Sequence, residues 1–377
     1  MRVIIAGGGT GGHLYPGIAI AEEITARPGG EVLFVGTARG LEAKLVPAAG
    51  YPLALLEVSG LKRIGWRGLV RGLVRLPKAF FASRAILRRF RPDLVFGVGG
   101  YASGPIVFAA ALTGFPTAIL EQNSRPGFTN RLLGRMVRRV FVAFEASRAF
   151  FTAGKTMLTG NPVRRRFFDG APPSDSPGAG PAPDPTPRDV VLVVGGSQGA
   201  RAVNELVAAM APLLAQRGAL PRIVHQTGPS DFERTSAAYA ALGDAVAGAV
   251  EVRPYIDDMP AALGQASLVI GRAGALTLAE LAIVGRPAIL IPLPTAADDH
   301  QTENARELAE AGAALVVRQG ETTPAALAEQ VAGLLADRPR RAAMARAMAG
   351  LGRPGAARAI VDELEKLAPG AAARGGS

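Results

Sequence analysis

Twice in this chain an apolar strand runs straight into a glycine turn and then into a helix, and no other feature limits the fold as much. At the start, Val3-Ile4-Ile5-Ala6 leads into Gly7-Gly8-Gly9-Thr10-Gly11-Gly12-His13 and the helical pattern Leu14–Glu23. Near the middle, Asp189–Val194 leads into Gly195-Gly196-Ser197-Gln198-Gly199-Ala200-Arg201 and the helical pattern Ala202–Leu214. A strand apolar on both faces suits the interior of a parallel sheet, whose connections are crossover helices. Further strands are expected at Val32–Val35, Leu94–Val98, Thr117–Leu120 and Val140–Val142 in the first half. In the second they are expected at Arg222–His225, Ala249–Val252, Ser267–Ile270, Ala288–Ile291 and Ala313–Val317. The pattern predicts an α/β protein of two doubly wound, Rossmann-like parallel-sheet domains facing across a cleft.

The opening turn has the spacing G-x-G-x-x-G at Gly7, Gly9 and Gly12. Glycine allows close approach of a ligand, and the amides of the following helix start favour an anion. A dinucleotide site of this kind also needs an acid at the end of the second strand, roughly 20 residues on. That strand ends Phe34-Val35-Gly36-Thr37, and the nearest acid, Glu42, lies beyond the turn. The spacing alone therefore supports either an anion-binding turn or a tight turn with no ligand. His13 stands at the helix start, where the dipole disfavours its cationic form. It reads either as a proton acceptor or as a residue that hydrogen-bonds locally.

The chain has 377 residues and no cysteine, which excludes disulfides, thiolate nucleophiles and Cys-based zinc sites. Its 42 Lys and Arg against 31 Asp and Glu give +11, a balance suited to an anionic partner. No signal peptide is expected, because the apolar start is short and runs directly into glycines. The charge-free stretch Leu94–Leu120 is interrupted by Gly97, Gly99, Gly100, Gly104, Pro105, Gly114 and Pro116, so it reads as strand, loop, helix and strand rather than a membrane span. Residues 171–187, rich in Pro, Ala and Gly, are expected to form a mobile insertion, and 340–367 a long helix before a disordered tail. Residues 62–91 carry ten Lys or Arg and no acid, with Arg63, Arg67, Arg71 and Arg75 four apart and Trp66, Leu69, Val70, Leu73 and Val74 on another face. The segment reads as an interfacial membrane contact or as a helix packed on the sheet with a solvated basic face. Nothing in it matches a nucleic-acid-binding motif. The three histidines are far apart and no Asp-x-Asp pair occurs, so no metal site and no cofactor are expected.

Other glycine turns carry candidate ligands. Ser197 and the amides around it suit a diphosphate, and Arg164, beside Arg165 and Arg166, is either a phosphate ligand or part of a solvated basic run. Arg272-Ala273-Gly274-Ala275-Leu276-Thr277 opens another helix, on which Glu280 is a candidate for the two hydroxyls of a ribose or an exposed helix acid. Gln301 falls in the first turn of the helix that follows Asp298 and Asp299.

Taken together and in order, Gly-Gly-Thr-Gly-Gly-His at 8–13, Gly-Gly-Tyr-Ala-Ser-Gly-Pro at 99–105, Glu-Gln-Asn at 121–123, Gly-Asn-Pro-Val-Arg at 160–164, Gly-Gly-Ser-Gln-Gly-Ala at 195–200, Tyr-Ile-Asp-Asp-Met at 255–259 and the stretch 272–280 resemble the MurG family of peptidoglycan N-acetylglucosaminyltransferases. The resemblance spans nearly the whole chain. It implies a GT-B fold, with an acceptor and membrane-facing domain at 1–163, a UDP-GlcNAc donor domain at 164–340, and a segment 341–377 whose helix crosses back to the first domain. It implies transfer of N-acetylglucosamine from UDP-GlcNAc to the 4-hydroxyl of undecaprenyl-diphospho-MurNAc-pentapeptide (lipid I), with inversion, at the cytoplasmic face of the plasma membrane, where the protein is peripheral. By the same resemblance Ile256 meets uracil through its backbone and Glu280 holds the ribose. Ser197, Arg164 and the amides of Gly274, Ala275, Leu276 and Thr277 hold the diphosphate, while Asn123 and Gln301 contact the sugar. Thr10, Gly11 and Gly12 face the acceptor diphosphate, with His13 as the base. Three residues depart from the family pattern: Leu120 where His is common, Ala273 where Ser is common, and Thr302 in place of a second Gln. Alternatives are another GT-B sugar-nucleotide enzyme, a UDP-GlcNAc epimerase among them, and a non-enzymatic membrane-surface binder.

Overall fold

The computed structural model describes residues 1–38, 40–57, 66–168, 189–196, 198–296 and 299–368, with backbone alone at 66–76. The expected insertion at 171–187, the tail beyond Ala368, Ser197 and residues 62–65 of the basic segment lie outside the described residues. The chain divides into two compact units, Met1–Pro173 with Pro354–Ser377, and Ser174–Arg353.

The first unit holds seven strands: β1 (Arg2–Gly7), β2 (Glu31–Gly36), β3 (Leu53–Leu55), β4 (Leu94–Gly99), β5 (Thr117–Glu121), β6 (Arg139–Val142) and β7 (Thr156–Leu158). All pair in parallel, in the order β3-β2-β1-β4-β5-β6-β7. Side chains alternate across the sheet, so neighbouring residues of one strand enter different cores. Val3 and Ile5 of β1 join Phe96, Leu120 and Phe141 in one core, and that face is covered by Leu14, Ile18 and Ala21 of the helix Gly11–Thr25. Ile4 and Ala6 join Val95, Ile119 and Val140 in the other, covered by Leu87 of the helix Trp66–Phe90 and Ile106 and Val107 of the helix Ser103–Leu112.

The second unit repeats the plan with β8 (Val190–Val194), β9 (Arg222–Gln226), β10 (Val250–Arg253), β11 (Leu268–Gly271), β12 (Ala288–Leu290) and β13 (Ala314–Val316). The order is β10-β9-β8-β11-β12-β13, again parallel throughout. Val191 and Val193 pack on Val203, Val207 and Met210 of the helix Arg201–Gln216, and Leu327 and Val331 of the helix Pro324–Ala336 close the same core. The strand orders of both units are those of the doubly wound nucleotide-binding fold. Every strand named in the sequence has its counterpart. The two extra strands, β3 and β7, are three-residue edge strands with no periodicity long enough to see.

The helix expected over 340–367 is two helices, Arg338–Gly350 and Ala356–Leu367. Gly352, Pro354 and Gly355 break it, since proline removes an N–H and disfavours helix in the residue before it. The first piece belongs to the second unit and the last to the first. There Ile360, Val361 and Leu364 enter the core beside the helix Gly11–Thr25. Arg27 bonds Asp362 at 2.5 Å and Glu365 at 2.9 Å, and Arg139 pairs with Glu363. Area removed from water outweighs half-exposed ion pairs, so Leu364→Ala should destabilise the first unit by about 2–5 kcal/mol and Arg27→Ala by about 1 kcal/mol. Urea unfolding followed by tryptophan-independent circular dichroism checks the ranking, and equal costs would refute it.

Candidate functional site

In doubly wound sheets, ligands bind beyond the carboxyl ends of the strands where the strand order reverses. In the first unit that point lies between β1 and β4. Their register slips at Ala6/Gly7, so Ala6 faces Gly97 but Gly7 faces Gly99. Gly99, at φ +90, lies under the ring of His13: a Cβ there would stand 2.6 Å from the imidazole Cδ2. His13 is half-buried, and its Nδ1 is 3.1 Å from the hydroxyl of Thr10. The helix begins at Gly11, so the amides of Gly11 and Gly12 precede its first internal bonds, the donors that helix starts offer to anions.

Glu121-Gln122-Asn123 is drawn to the same strand ends. The Gln122 carboxamide donates to the carbonyl of Val98 at 2.7 Å. Glu121 is 2 % exposed. Burial pushes its pKa up, against hydrogen bonds from the Asn123 and Gly127 amides and the side chains of Asn130 and Asn123. These bonds, 2.8–3.2 Å long, fix the backbone that presents Asn123. Arg164 lies in the first unit, its guanidinium 4.0 Å above the ring of Tyr15, while the Arg165 amide donates to Glu22 at 3.0 Å. The other expected diphosphate ligands, Ser197 and the amides of 274–277, belong to the second unit.

In the second unit the order reverses between β8 and β11. Gly274 caps the helix Ala275–Val284, so the amides of Ala275, Leu276 and Thr277 form its open first turn. Glu280 is buried, 7 % exposed, which removes the reading of an exposed helix acid. Arg272 is buried as well, and burial pushes its pKa down. Its guanidinium donates to the carbonyls of Ile291 and Pro292 at 3.0 Å and to Gln319 at 2.7 Å, tying the ends of β11, β12 and β13 together. Ile256 is buried with its amide donating to Gln226 Oε1 at 3.0 Å, and the Gln226 amide group donates to the Gly196 carbonyl at 3.2 Å. Gln301 accepts the Leu293 amide at 3.0 Å, and the buried Asn304 donates to the Ala273 carbonyl at 3.3 Å.

Sequence reading passed over Gln226 and the residue before it. Both stand in His225-Gln226-Thr227, a polar run ending an apolar strand, and that was the available signal. His225 is fully buried; its Nε2 is 3.0 Å from Asn204 Oδ1 and its Nδ1 2.9 Å from the Tyr239 hydroxyl. The Asn204 amide group donates to the Thr227 carbonyl at 3.0 Å and to Asp231 at 2.5 Å, so its oxygen is the acceptor. That assigns the proton to Nε2 and makes Nδ1 the acceptor of the tyrosine O–H. Among the described residues no group of three or more His, Asp or Glu side chains is placed to hold a metal ion, and no helix is long and apolar enough to cross a membrane.

Two parallel-sheet domains with glycine turns at both switch points, each matched by a glycosyltransferase family model, make this chain a glycosyltransferase of the GT-B fold. Residues 3–142 match the glycosyltransferase family 28 N-terminal domain and residues 190–360 the glycosyltransferase family 28 C-terminal domain. The chain belongs to glycosyltransferase family 28. It is 48% identical over 368 residues, 97% of this chain and 93% of the relative, to the UDP-N-acetylglucosamine–N-acetylmuramyl-(pentapeptide) pyrophosphoryl-undecaprenol N-acetylglucosamine transferase of Anaeromyxobacter dehalogenans. The enzyme of the same name from Myxococcus xanthus is 49% identical over 363 residues, 96% of this chain and 92% of the relative. The crystal structure of Acinetobacter baumannii MurG superposes with a TM-score of 0.76 at 33% identity, covering 97% of this chain and 99% of that one. The S. aureus MnaA–UDP co-structure, at 13% identity, 97% and 96% coverage and a TM-score of 0.66, shares the fold.

Burial pushes the pKa of His225 down to about 4. Unfolding frees it to bind a proton at its ordinary value, so stability contributed by the neutral ring is complete above about pH 6.5 and is lost as pH falls towards 4, by about 3 kcal/mol at most. Denaturation of the wild type and of His225→Gln between pH 4 and 7 should show this slope in the wild type alone; equal slopes would refute it.

Proposed function

We propose that this chain transfers N-acetylglucosamine from UDP-GlcNAc to the 4-hydroxyl of the muramoyl sugar of lipid I, making lipid II with inversion. The observation that carries the reading is near-complete coverage, 97% of the chain, by relatives that bear this activity in their names at 48% identity. In the second unit, Glu280 takes the ribose hydroxyls and the amides of Gly274–Thr277 and Ser197 take the donor diphosphate. The backbone of Ile256 meets uracil, and Gln301 the donor sugar. In the first unit, Thr10, Gly11 and Gly12 meet the acceptor diphosphate, and Asn123 contacts the sugar.

His13 is the base. Its Nδ1 lies 3.1 Å from the Thr10 hydroxyl, and the imidazole takes the proton of the acceptor hydroxyl. As the proton moves to the imidazole, the 4-oxygen forms its bond to the anomeric carbon from the face opposite the diphosphate. The bond from that carbon to the diphosphate oxygen breaks, and UDP departs with the electron pair. Amides and a helix N-terminus stabilise the charge that develops on it.

At the membrane the protein is peripheral and binds the cytoplasmic leaflet through the basic segment 62–91. Phe81, 63 % exposed, and the exposed Arg84 and Arg88 on the helix Trp66–Phe90 support this reading. Each basic group near an anionic leaflet contributes about 1 kcal/mol. Sedimentation with vesicles should show binding to anionic but not zwitterionic lipid, weakening as salt rises. Replacing Trp66, Arg67 and Arg71 together should weaken it, and unchanged binding would refute the assignment.

Turnover is tested with UDP-GlcNAc and a lipid I analogue, with the disaccharide product identified by mass. His13→Ala should lower kcat by about 10²–10⁴-fold with UDP affinity unchanged. Glu280→Ala should weaken UDP binding in calorimetry by about tenfold or more and leave acceptor binding alone. Full turnover in the first variant, or unchanged UDP affinity in the second, would overturn the respective role.

A further inference from the structure

Glu42 is the acid that the second strand lacks at its end, and the structure turns it inward. It is the first residue of the helix Glu42–Ala48 and is 1 % exposed. One carboxylate oxygen accepts the amide of Gly9 at 2.7 Å. The other accepts the amide of Thr37 at 2.7 Å and its hydroxyl at 2.8 Å. Three glycines surround it: a Cβ on Gly8, Gly36 or Gly40 would collide with its side chain. Two of these are Gly8, in the opening turn, and Gly36, at the end of β2 where the sequence places no acid.

We infer that Glu42 is a positioning residue for the transfer reaction, an internal anion that holds the turn Gly8–His13 against the end of β2 and so sets the amides and the imidazole presented to the acceptor. The inference rests on the acceptor-side reading of that turn. A carboxylate fits the place by its chemistry. It has two oxygens and no proton to give, and it meets three donors from two different connections. Burial by itself pushes its pKa up, but the hydrogen bonds from Gly9, Thr37 and its own amide outweigh this and hold it below the usual carboxylate range. A charged group thus stands behind the turn in neutral solution. The Gly9 amide is spent on it, and an anionic ligand arriving there would meet an occupied donor and a like charge. Anions are left to the helix start at Gly11 and Gly12, next to His13. The glycines around Glu42 are thereby explained by the space the carboxylate needs, not by a cofactor's pyrophosphate.

The carboxamide of Glu42→Gln keeps the shape and replaces one acceptor oxygen with a donor facing an N–H. In full-length protein this variant should keep its melting temperature within a few degrees and bind UDP as the wild type does. The Gly9 amide should exchange with deuterium about tenfold faster or more. In steady-state kinetics kcat/KM for the lipid I analogue should fall about tenfold or more, with KM for UDP-GlcNAc unchanged. Thr37→Val, which removes one donor and leaves the carboxylate, should move the same parameters in the same direction by a smaller factor. Wild-type exchange at Gly9 in Glu42→Gln, or a parallel loss in donor and acceptor parameters with a lowered melting temperature, would overturn the positioning role. Faster exchange with unchanged acceptor kinetics would instead overturn the acceptor-side reading of the turn on which the inference rests.

Discussion

A strand in the middle of a parallel sheet, buried on both faces, can release its chain only at its ends, and the two central strands here do so in glycine. β1 runs between β2 and β4, and β8 between β9 and β11. Each carries fully buried aliphatic residues along its length. Helices cover both faces, so the crevice at the carboxyl ends is where backbone donors remain for something other than the sheet. The residues proposed for the chemistry follow the carboxyl ends of these and neighbouring strands: the turn bearing His13 after β1, Asn123 beyond β5, Ile256 beyond β10, the helix start at Gly274 beyond β11, and Gln301 beyond β12.

What holds those exits in shape is a set of buried polar side chains that bridge one connection to another. Glu42 ties the turn after β1 to that after β2, and Gln122 ties the segment after β5 to β4. In the second unit Gln226 ties Gly196 to Ile256, and Arg272 ties β11 to the ends of β12 and β13. A buried polar group left unpaired costs about 1–3 kcal/mol, and more if charged. Such bridges therefore fix loop geometry sharply, because any displacement strands a donor or an acceptor in a dry site. Apolar packing sets the sheet and has no comparable preference for one loop conformation over another.

The strands were legible as short runs rich in Val, Ile and Leu, several of them, such as β1, β4, β8 and β11, running directly into glycine, and the turns because glycine marks them. β3 and β7 were not, since three edge residues carry no pattern. The C-terminal pattern 340–367 showed helical periodicity on both sides of Pro354 and hid the break between them. Among the candidate residues, His13, Glu280 and the turn at 272–277 were readable from their place at glycine turns and the helices they open, while Asn123 was named only through the family resemblance. Gln226 and His225 were not, because one or two polar residues at a strand end look like a strand running out into solvent.

Local chemistry in the sequence was enough to determine two βα-repeated domains, their switch-point turns and a basic protein with no thiol chemistry. Periodicity and glycine act within a few residues and need no knowledge of the rest of the chain. Tertiary structure alone decided which polar groups meet. It carried Glu42 back 33 residues to Gly9 and brought Gln226 to Ile256, 30 residues on. It also returned the helix Ala356–Leu367 to the core of the first unit. A carboxylate in sequence is only an acid near a turn. Folding surrounds it with three donors and takes away the water, and that makes it the fixed anion behind the opening glycine turn.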